Sequence, residues 1–281
     1  MEAVIRGIQR TGPLDAIGRA LTLGFARIVR PGPFKDLLSG TWLGHPVHPL
    51  LTDIPIGSWT SAMVLDVLGG KASEHAADML IGLGVLSAVP TALTGISELA
   101  DVVEKEERSV GVAHAVGNVA SVALFGLSYL SRRRGKRRTG IALSMAGGAV
   151  ATVSAYLGGH LVYRQVIGPN RAIDGPIPDW TPVLDTEALA EGKAKRVAAG
   201  SAQVMLYRKD GRTFALGNRC SHRGGPLHKG EIGDDRVTCP WHLSTFSLED
   251  GSIMRGPATA PQPAYDVRER DGKIEIRQRT A

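Results

Sequence analysis

Four long apolar segments occupy the middle of the sequence and limit the folds that the chain can adopt. They span roughly residues 47–69, 76–98, 110–131 and 139–163. Each is about as long as an α-helix must be to cross the hydrocarbon core of a bilayer, where every backbone polar group has to be satisfied internally. The sequence therefore predicts a four-helix transmembrane bundle, with a soluble helical bundle as the alternative.

The charge pattern fits a membrane better than a nucleic acid. The net charge is +6, but many of the basic residues form one knot at 132–138, between the third and fourth segments. Such a knot is typical of a loop that flanks a membrane. We therefore expect a lipid bilayer and no nucleic acid as partner, and a multi-pass protein of the cell membrane. Basic residues flank both ends of the segments, so the side of the C-terminal domain stays open.

The remaining sequence divides into an arm, a linker and a second domain. Residues 1–46 read as a peripheral arm in which Leu14, Ile17 and Leu21 have helical spacing, as in an amphipathic helix on a membrane or on a protein surface. The N-terminus lacks the features of a cleavable signal peptide. The membrane domain covers 47–163, a Pro- and Gly-containing linker 164–182, and a second domain 183–281.

The C-terminal domain has the pattern of an antiparallel β fold. Short strand-like runs are separated by the Asp-Gly pairs 210–211, 250–251 and 271–272, which is the chemistry of β-hairpin turns. The predicted fold class is therefore α + β multidomain, with an N-terminal four-helix transmembrane bundle followed by an antiparallel all-β domain.

Two short loops in this β domain each combine a cysteine with a histidine. They read Cys220-Ser-His222 and Cys239-Pro-Trp-His242. Two such pairs are compatible with tetrahedral zinc. A [2Fe–2S] cluster of mixed ligation needs two thiolates on one iron and two imidazoles on the other, and here each loop offers one of each. The pattern favours iron–sulfur, and it uses both cysteines of the chain, so no disulfide is expected.

The loop sequences resemble the Rieske family. The segments CSHRGGPLHKG (220–230) and CPWHLSTFSLEDG (239–251) carry the resemblance, which extends over roughly residues 183–278. It implies a [2Fe–2S] cluster with Cys220 and Cys239 on the ferric iron and His222 and His242 on the other. It also implies that a proline-rich run around Pro261 covers the cluster from a third side.

The resemblance also indicates the subtype. High-potential members carry an extra cysteine in each loop, and this chain has Trp241 at the second such position. It looks more like the ferredoxins of ring-hydroxylating oxygenases and the small subunits of nitrite reductases. Ser244 stands where the high-potential group has a hydroxyl donor to a cluster sulfide, and Phe246 replaces a tyrosine. Leu243 occupies a position that is usually glycine. Together these features imply an intermediate reduction potential.

Four histidines belong to the membrane part or its border. His45 and His48 lie at the start of the first segment, His114 near the start of the third, and His160 near the end of the fourth. In an alternating bundle all of these ends share one face. The residues leave three interpretations open: axial ligands of a b-type haem, a quinone or metal site, and simple interhelical hydrogen bonding. No CxxCH motif is present, which excludes a covalent c-type haem.

The run Gly44-His45-Pro46-Val47-His48-Pro49 resembles the opening of an uncharacterised family of four-helix bacterial membrane domains, over roughly residues 40–165. The leading hypothesis is a membrane-anchored Rieske protein that transfers single electrons between the membrane face and a redox partner protein or quinone. The alternative is a subunit of a quinone- or haem-linked membrane oxidoreductase. A terminal oxygenase is disfavoured, because the chain ends soon after His242, before a mononuclear iron domain.

Overall fold

The computed structural model describes residues 2–279 and divides into two compact units. The helical unit is formed by the residues up to Val29 and by Val47–Ile167, and the β unit by Arg30–Pro46 and the residues from Gly168 onward. The segment 30–46 thus belongs to the β unit, whereas the sequence analysis placed it in one arm with residues 1–29.

Seven α-helices precede the strands in the described chain, rather than the predicted four. The four long ones, α4 to α7, coincide with the four apolar segments, and three shorter ones come before them. In chain order they are α1 (Glu2–Arg10), α2 (Gly12–Ile28), α3 (Pro33–Ser39), α4 (Val47–Leu68), α5 (Glu74–Leu99), α6 (Lys105–Arg133) and α7 (Arg137–Tyr163).

Three of the long helices, rather than four, are long and apolar enough to cross a membrane. They are α5 with the turn that precedes it, α6 and α7. Helix α4 has the necessary length but is not among them, and its sequence contains His48, Asp53 and Asp66. The prediction of four crossing helices is therefore corrected to three by length and composition.

The four long helices form a ring. Helix α4 packs mainly on α5, and α6 packs mainly on α7. Contacts of α5 with α6 and of α4 with α7 complete the ring. Helices α4 and α6 consequently lie on a diagonal. The rings of Trp59 and Phe125 stack across this diagonal, with their centroids 4.1 Å apart.

The helical unit exposes apolar side chains and buries polar ones, which is the reverse of a water-soluble bundle. Large aliphatic side chains point outward: Leu86 is 73% exposed and Val119 70%. Small hydroxyl side chains such as Ser121 and Ser128 are buried between the helices and donate to backbone carbonyls. Soluble monomers rarely expose such large apolar surfaces, whereas small residues at helix contacts are typical of membrane bundles.

The β unit contains three antiparallel sheets. Their strand orders are β1-β10-β9, β2-β3-β4 and β5-β6-β7-β8. The strands are β1 (Thr181–Asp185), β2 (Ala194–Ala199), β3 (Ala202–Lys209), β4 (Arg212–Gly217), β5 (Glu231–Gly233), β6 (Arg236–Thr238), β7 (Thr245–Ser247), β8 (Ile253–Arg255), β9 (Tyr265–Arg270) and β10 (Lys273–Gln278).

Two of the predicted hairpin turns have the expected backbone. Asp210 and Gly211 join β3 to β4, and Asp271 and Gly272 join β9 to β10, all four with φ between 50° and 72°. A two-residue turn with positive φ at both positions matches the twist of the strands that it connects. The prediction of an antiparallel β domain is confirmed.

The hydrophobic core of the β unit lies in two adjoining clusters. The first joins the sheets β1-β10-β9 and β2-β3-β4 through side chains such as Leu206 and Ile274. The second contains Leu216 and Phe246, and it includes both cysteines. The four-stranded sheet therefore packs on a buried hydrophobic core. This core can hold the two loops that carry the cysteines in fixed positions.

Candidate metal centre

The two Cys-His loops meet at one end of the four-stranded sheet. The first connects β4 of the neighbouring sheet to β5 and carries Cys220 and His222, and the second connects β6 to β7 and carries Cys239 and His242. Short strands with backbone pairing on both sides fix the two ends of the second loop. Because Glu231 at the start of β5 pairs with Thr238 at the end of β6, both loops reach the sheet at the same end.

The backbone of each loop makes the same pair of hydrogen bonds around its cysteine. The N–H of Cys220 donates to the carbonyl of Gly225 and its carbonyl accepts from Gly224, at 2.9 and 2.8 Å. The N–H of Cys239 donates to the carbonyl of Ser244 and its carbonyl accepts from Leu243, at 2.8 and 3.2 Å. The two loops are thus local copies that present a cysteine and a histidine in the same way.

The four predicted ligands come together as two pairs. The cysteines are each 1% exposed and belong to the same buried cluster. The imidazoles of His222 and His242 are half-buried, with ring centroids 5.0 Å apart and ring planes nearly perpendicular. The thiols thus lie in the core and the imidazoles nearer the solvent.

The pairing fits a two-iron cluster better than a single ion. Within residues 2–279, no three His, Cys, Asp or Glu side chains are grouped so as to hold one metal ion. A tetrahedral zinc site needs four such groups around one point. The [2Fe–2S] cluster of mixed ligation asks for two thiolates on one iron and two imidazoles on the other, and that is the donor set of these two pairs.

The electrostatics favour the ligating forms of His222 and Cys239, and the protonated form of Cys220. The hydrogen bond from the Cys220 thiol lowers the pKa of Cys239 to about 7, and the same contact, together with burial, raises the pKa of Cys220. Burial, followed by the charges of His242, Arg223 and Lys35, lowers the pKa of His222 well below its usual value. A neutral imidazole and an acidified thiol are the forms that bind iron.

The proline-rich third loop is bonded to both ligand loops. The Ser221 hydroxyl donates to the carbonyl of Ala260 at 2.6 Å, and the N–H of Ala258 donates to the Ser244 hydroxyl at 3.0 Å. Pro261 is an exposed residue of this loop. Because the Ser244 oxygen acts as acceptor there, its own proton can be donated elsewhere.

Leu243 has a backbone conformation that explains why Rieske proteins usually have glycine at this position. Its φ is +63°, and the equivalent residue of the first loop, Gly224, has φ +77°. A side chain costs about 1–2 kcal/mol in this left-handed region. Leu243 is 42% exposed and Trp241 55%, and the indole packs on Gly225, where a Cβ would lie 3.1 Å from the ring. An apolar rim formed by Trp241 and Leu243 therefore flanks His242.

The segment before the helical bundle contributes residues that sequence reasoning missed. The Thr41 hydroxyl donates to the carbonyl of Ala258 at 3.1 Å, and Gly256 leaves room for it, since a Cβ there would lie 2.1 Å from that hydroxyl. Lys35 of α3 is only 2% exposed, and its charge acts on His222. No local signal could have found Lys35, because it precedes the cluster loops by most of the chain.

The histidines of the membrane part and its border do not form one cluster. His45 is exposed and belongs to the β unit with residues 30–46. His48 bonds to the carbonyl of Thr91, and His114 to that of Ser154. His160 lies in the last turns of α7. The predicted set of four is thus separated, and only His48 and His114 make equivalent contacts.

Comparison with known proteins matches the two units to two families. Residues 179–266 match the Rieske [2Fe-2S] domain, and residues 44–171 match Predicted membrane protein (DUF2231). The 3-phenylpropionate/cinnamic acid dioxygenase ferredoxin subunit of Photorhabdus laumondii is 36% identical over 95 residues, which cover 34% of this chain and 90% of that protein.

Two further matches also cover about a third of the chain. Apoptosis-inducing factor 3 of Mus musculus is 33% identical over 95 residues, and the chain spans 16% of that protein's length. The solved ferredoxin of carbazole 1,9a-dioxygenase from Nocardioides aromaticivorans is 24% identical, with a TM-score of 0.34, over 36% of this chain and 98% of that one. Through residues 179–266 the chain belongs to the Rieske family and binds a [2Fe–2S] cluster, and a DUF2231 predicted membrane domain precedes this part.

Proposed function

We propose that this protein is a membrane-anchored electron carrier in which Cys220 and Cys239 bind one iron of the cluster and His222 and His242 bind the other. The observation that carries the proposal is the delivery of one thiol and one imidazole by each of two equivalent loops. The bound cluster supplies reversible one-electron chemistry. The half-buried imidazoles and the exposed rim of Trp241 and Leu243 favour electron exchange with a redox partner protein at that surface.

Membrane anchoring is supported by the helical unit. Its outward-facing aliphatic side chains, its buried serines and three helices of sufficient length and hydropathy suit a lipid surrounding. We propose a multi-pass protein of the cell membrane, with domain limits at 47–163 for the helices, 164–182 for the linker and 183–281 for the Rieske domain. The dioxygenase ferredoxin relative suggests that the partner is itself an oxidoreductase.

A redox titration of the full-length protein in detergent, followed by EPR, tests this function. We expect a reversible one-electron step and the low average g value of a cluster with mixed histidine and cysteine ligation. A cluster that titrates irreversibly, or an EPR spectrum typical of four thiolate ligands, would contradict the proposal.

Replacing Ser244 with alanine should lower the reduction potential. Its hydroxyl is buried and has a proton to donate, and a hydrogen bond to a cluster sulfur stabilises the reduced, more negative cluster. Hydrogen bonds to charged groups contribute about 1.5–3 kcal/mol, so we expect a decrease of about 60–130 mV, at about 59 mV per 1.4 kcal/mol. Ser247→Ala, whose hydroxyl bonds to the N–H of Glu249, is the matched control. An unchanged potential in Ser244→Ala would show that this hydroxyl does not bond to the cluster.

Replacing Lys35 with methionine should also lower the potential. The side chain is buried and its positive charge acts on His222, so it favours the reduced state. At an effective dielectric constant of about 20, one nearby buried charge contributes about 1–2 kcal/mol, which corresponds to about 40–90 mV. Lys193→Met, at an exposed lysine of the same unit, should leave the potential unchanged. Equal potentials for Lys35→Met and the unmodified protein would rule out this electrostatic influence.

A further inference from the structure

The helical unit contains the same histidine contact twice. In the hairpin α4–α5, Nδ1 of His48 donates to the carbonyl of Thr91 at 3.0 Å. About one turn further along α5, Gly95 receives the imidazole, since a Cβ there would lie 2.7 Å from the ring. A histidine near the start of one helix is thus fixed against a carbonyl and a glycine of the next.

The hairpin α6–α7 repeats this arrangement. Nδ1 of His114 donates to the carbonyl of Ser154 at 2.8 Å, and a Cβ on Gly158 would lie 2.9 Å from the ring. The glycine again follows the carbonyl residue by about one turn. Aligning His48 with His114, Thr91 with Ser154 and Gly95 with Gly158 therefore superimposes one hairpin on the other.

The centre of the bundle shows the same correspondence between the two hairpins. About three turns beyond the histidines, Trp59 of α4 stacks on Phe125 of α6 with an interplanar angle of 9°. Each ring packs on the equivalent glycine of its own hairpin, Gly84 under Trp59 and Gly147 under Phe125. The two hairpins are consequently related by an approximate two-fold axis that passes between the stacked rings.

This axis places His48 and His114 opposite one another. They lie on the diagonal helices α4 and α6, on the helix faces that carry the stacked rings, because three turns return a residue to the same face. His160 has Ser97 as its equivalent in the first hairpin, so the symmetry supplies it with no histidine partner.

The hydrogen bonds fix the tautomer of both rings. A carbonyl oxygen can only accept, so Nδ1 carries the proton and Nε2 carries a lone pair. Ligating histidines are commonly held in this way, with the other nitrogen bonded to a carbonyl. A lone pair binds a metal but cannot donate to a quinone carbonyl. Nε2 of His114 accepts from the amide of Asn118 at 3.0 Å, a contact that ligation would replace.

The number of protein ligands distinguishes a bare metal ion from a haem iron. No group of three His, Cys, Asp or Glu side chains able to hold an ion occurs between residues 2 and 279, so a bare ion would find only two protein ligands here. A haem iron receives four nitrogens from its porphyrin and needs two axial ligands, which helical bundles supply from facing helices. We infer that His48 and His114 are the axial ligands of a b-type haem. This inference goes beyond the proposed function and does not depend on the ligands of the iron–sulfur cluster.

Substitution by asparagine distinguishes a histidine that binds haem from one that only donates a hydrogen bond to the neighbouring helix. Asparagine keeps an N–H that can reach the carbonyl of Thr91 or Ser154, but it has no equivalent of Nε2. The full-length protein is produced with a haem precursor, purified in detergent and assayed by the pyridine haemochrome method and optical spectroscopy. We expect non-covalent haem b with a six-coordinate low-spin spectrum. His48→Asn and His114→Asn should each convert it to a high-spin form and weaken haem retention at least about tenfold, and the double variant should lose the Soret band.

His160→Asn is the matched control, and it should keep both the haem and the low-spin spectrum. Absence of haem b from the unmodified protein, after precursor feeding and after titration with haemin, would overturn the inference. A low-spin spectrum that survives either His48→Asn or His114→Asn would do the same, as would its loss in His160→Asn alone. The EPR g values of the unmodified protein report bis-imidazole ligation directly, so the test does not depend on the folding of any variant.

Discussion

Replacing His242 with alanine should abolish the EPR signal of the reduced cluster and remove the red colour of the protein. In the proposed site this residue and His222 are the two protein ligands of one iron, and their rings face each other at 5.0 Å. Loss of one imidazole leaves that iron with a single protein ligand at the half-buried side of the site. The measurement is the EPR and visible spectrum of the full-length variant after reduction, with its iron content determined in parallel.

His228→Ala is the matched control for this experiment. His228 lies in the same loop as His222, but its Nδ1 bonds to the side-chain oxygen of Asn218 at 2.8 Å. We expect the signal and the iron content of this variant to equal those of the unmodified protein. An intact cluster signal in His242→Ala would remove His242 from the ligand set, and with it the proposed division of ligands between the two irons.

Replacing Arg132 with alanine should destabilise the helical unit by about 3–5 kcal/mol, the usual cost of removing one partner from a buried ion pair. The side chains of Arg132 and Asp66 are both 0% exposed, and the guanidinium also bonds to Asp78 at 3.0 Å. The network therefore joins α4, α5 and α6, and without Arg132 the carboxylate of Asp66 stays buried with Arg137 as its remaining cationic partner. Thermal or denaturant unfolding in detergent micelles measures the loss.

Arg133→Ala is the control, since Arg133 is exposed and adjacent in sequence, and it should change the free energy of unfolding by less than about 0.5 kcal/mol. In a double-mutant cycle, Asp66→Ala combined with Arg132→Ala should cost less than the two single changes added together, because the double variant buries no unpaired charge of this pair. Additive losses would show that the two residues do not stabilise the protein through each other.

The Asp66 ion pairs are one contact that the sequence does not record. Hydropathy counts the carboxylate against α4 whatever its surroundings, but in the bundle Arg132 and Arg137 neutralise it. Residues 30–46 are a second case. Their contact through Thr41 with the third cluster loop joins positions 217 residues apart, and no periodicity or composition records such a pairing.

Leu243 shows how far a motif can be interpreted without coordinates. The sequence identified it as a departure from the usual glycine, and the structure supplies the reason, a φ of +63° that side chains rarely adopt. The duplication of the hairpin, by contrast, could not be recognised in the sequence, because several of its equivalent residues differ in type. His48 and His114 were both noted in the sequence, but Trp59 with Phe125 and Asp66 with Arg132 are different residues, and only their mutual contacts identify them as equivalent.

The features that could be predicted from the sequence are those with local causes. Helices α4 to α7 follow from the length of their apolar runs, the β3–β4 and β9–β10 turns from Asp-Gly pairs, and the cluster from two short motifs with one cysteine and one histidine each. Three features could be recognised only in the folded protein: the burial of Lys35, the packing of residues 30–46 in the β unit and the two-fold relation of His48 and His114. These depend on contacts between residues far apart in the chain, which are set by packing and charge pairing in the folded protein.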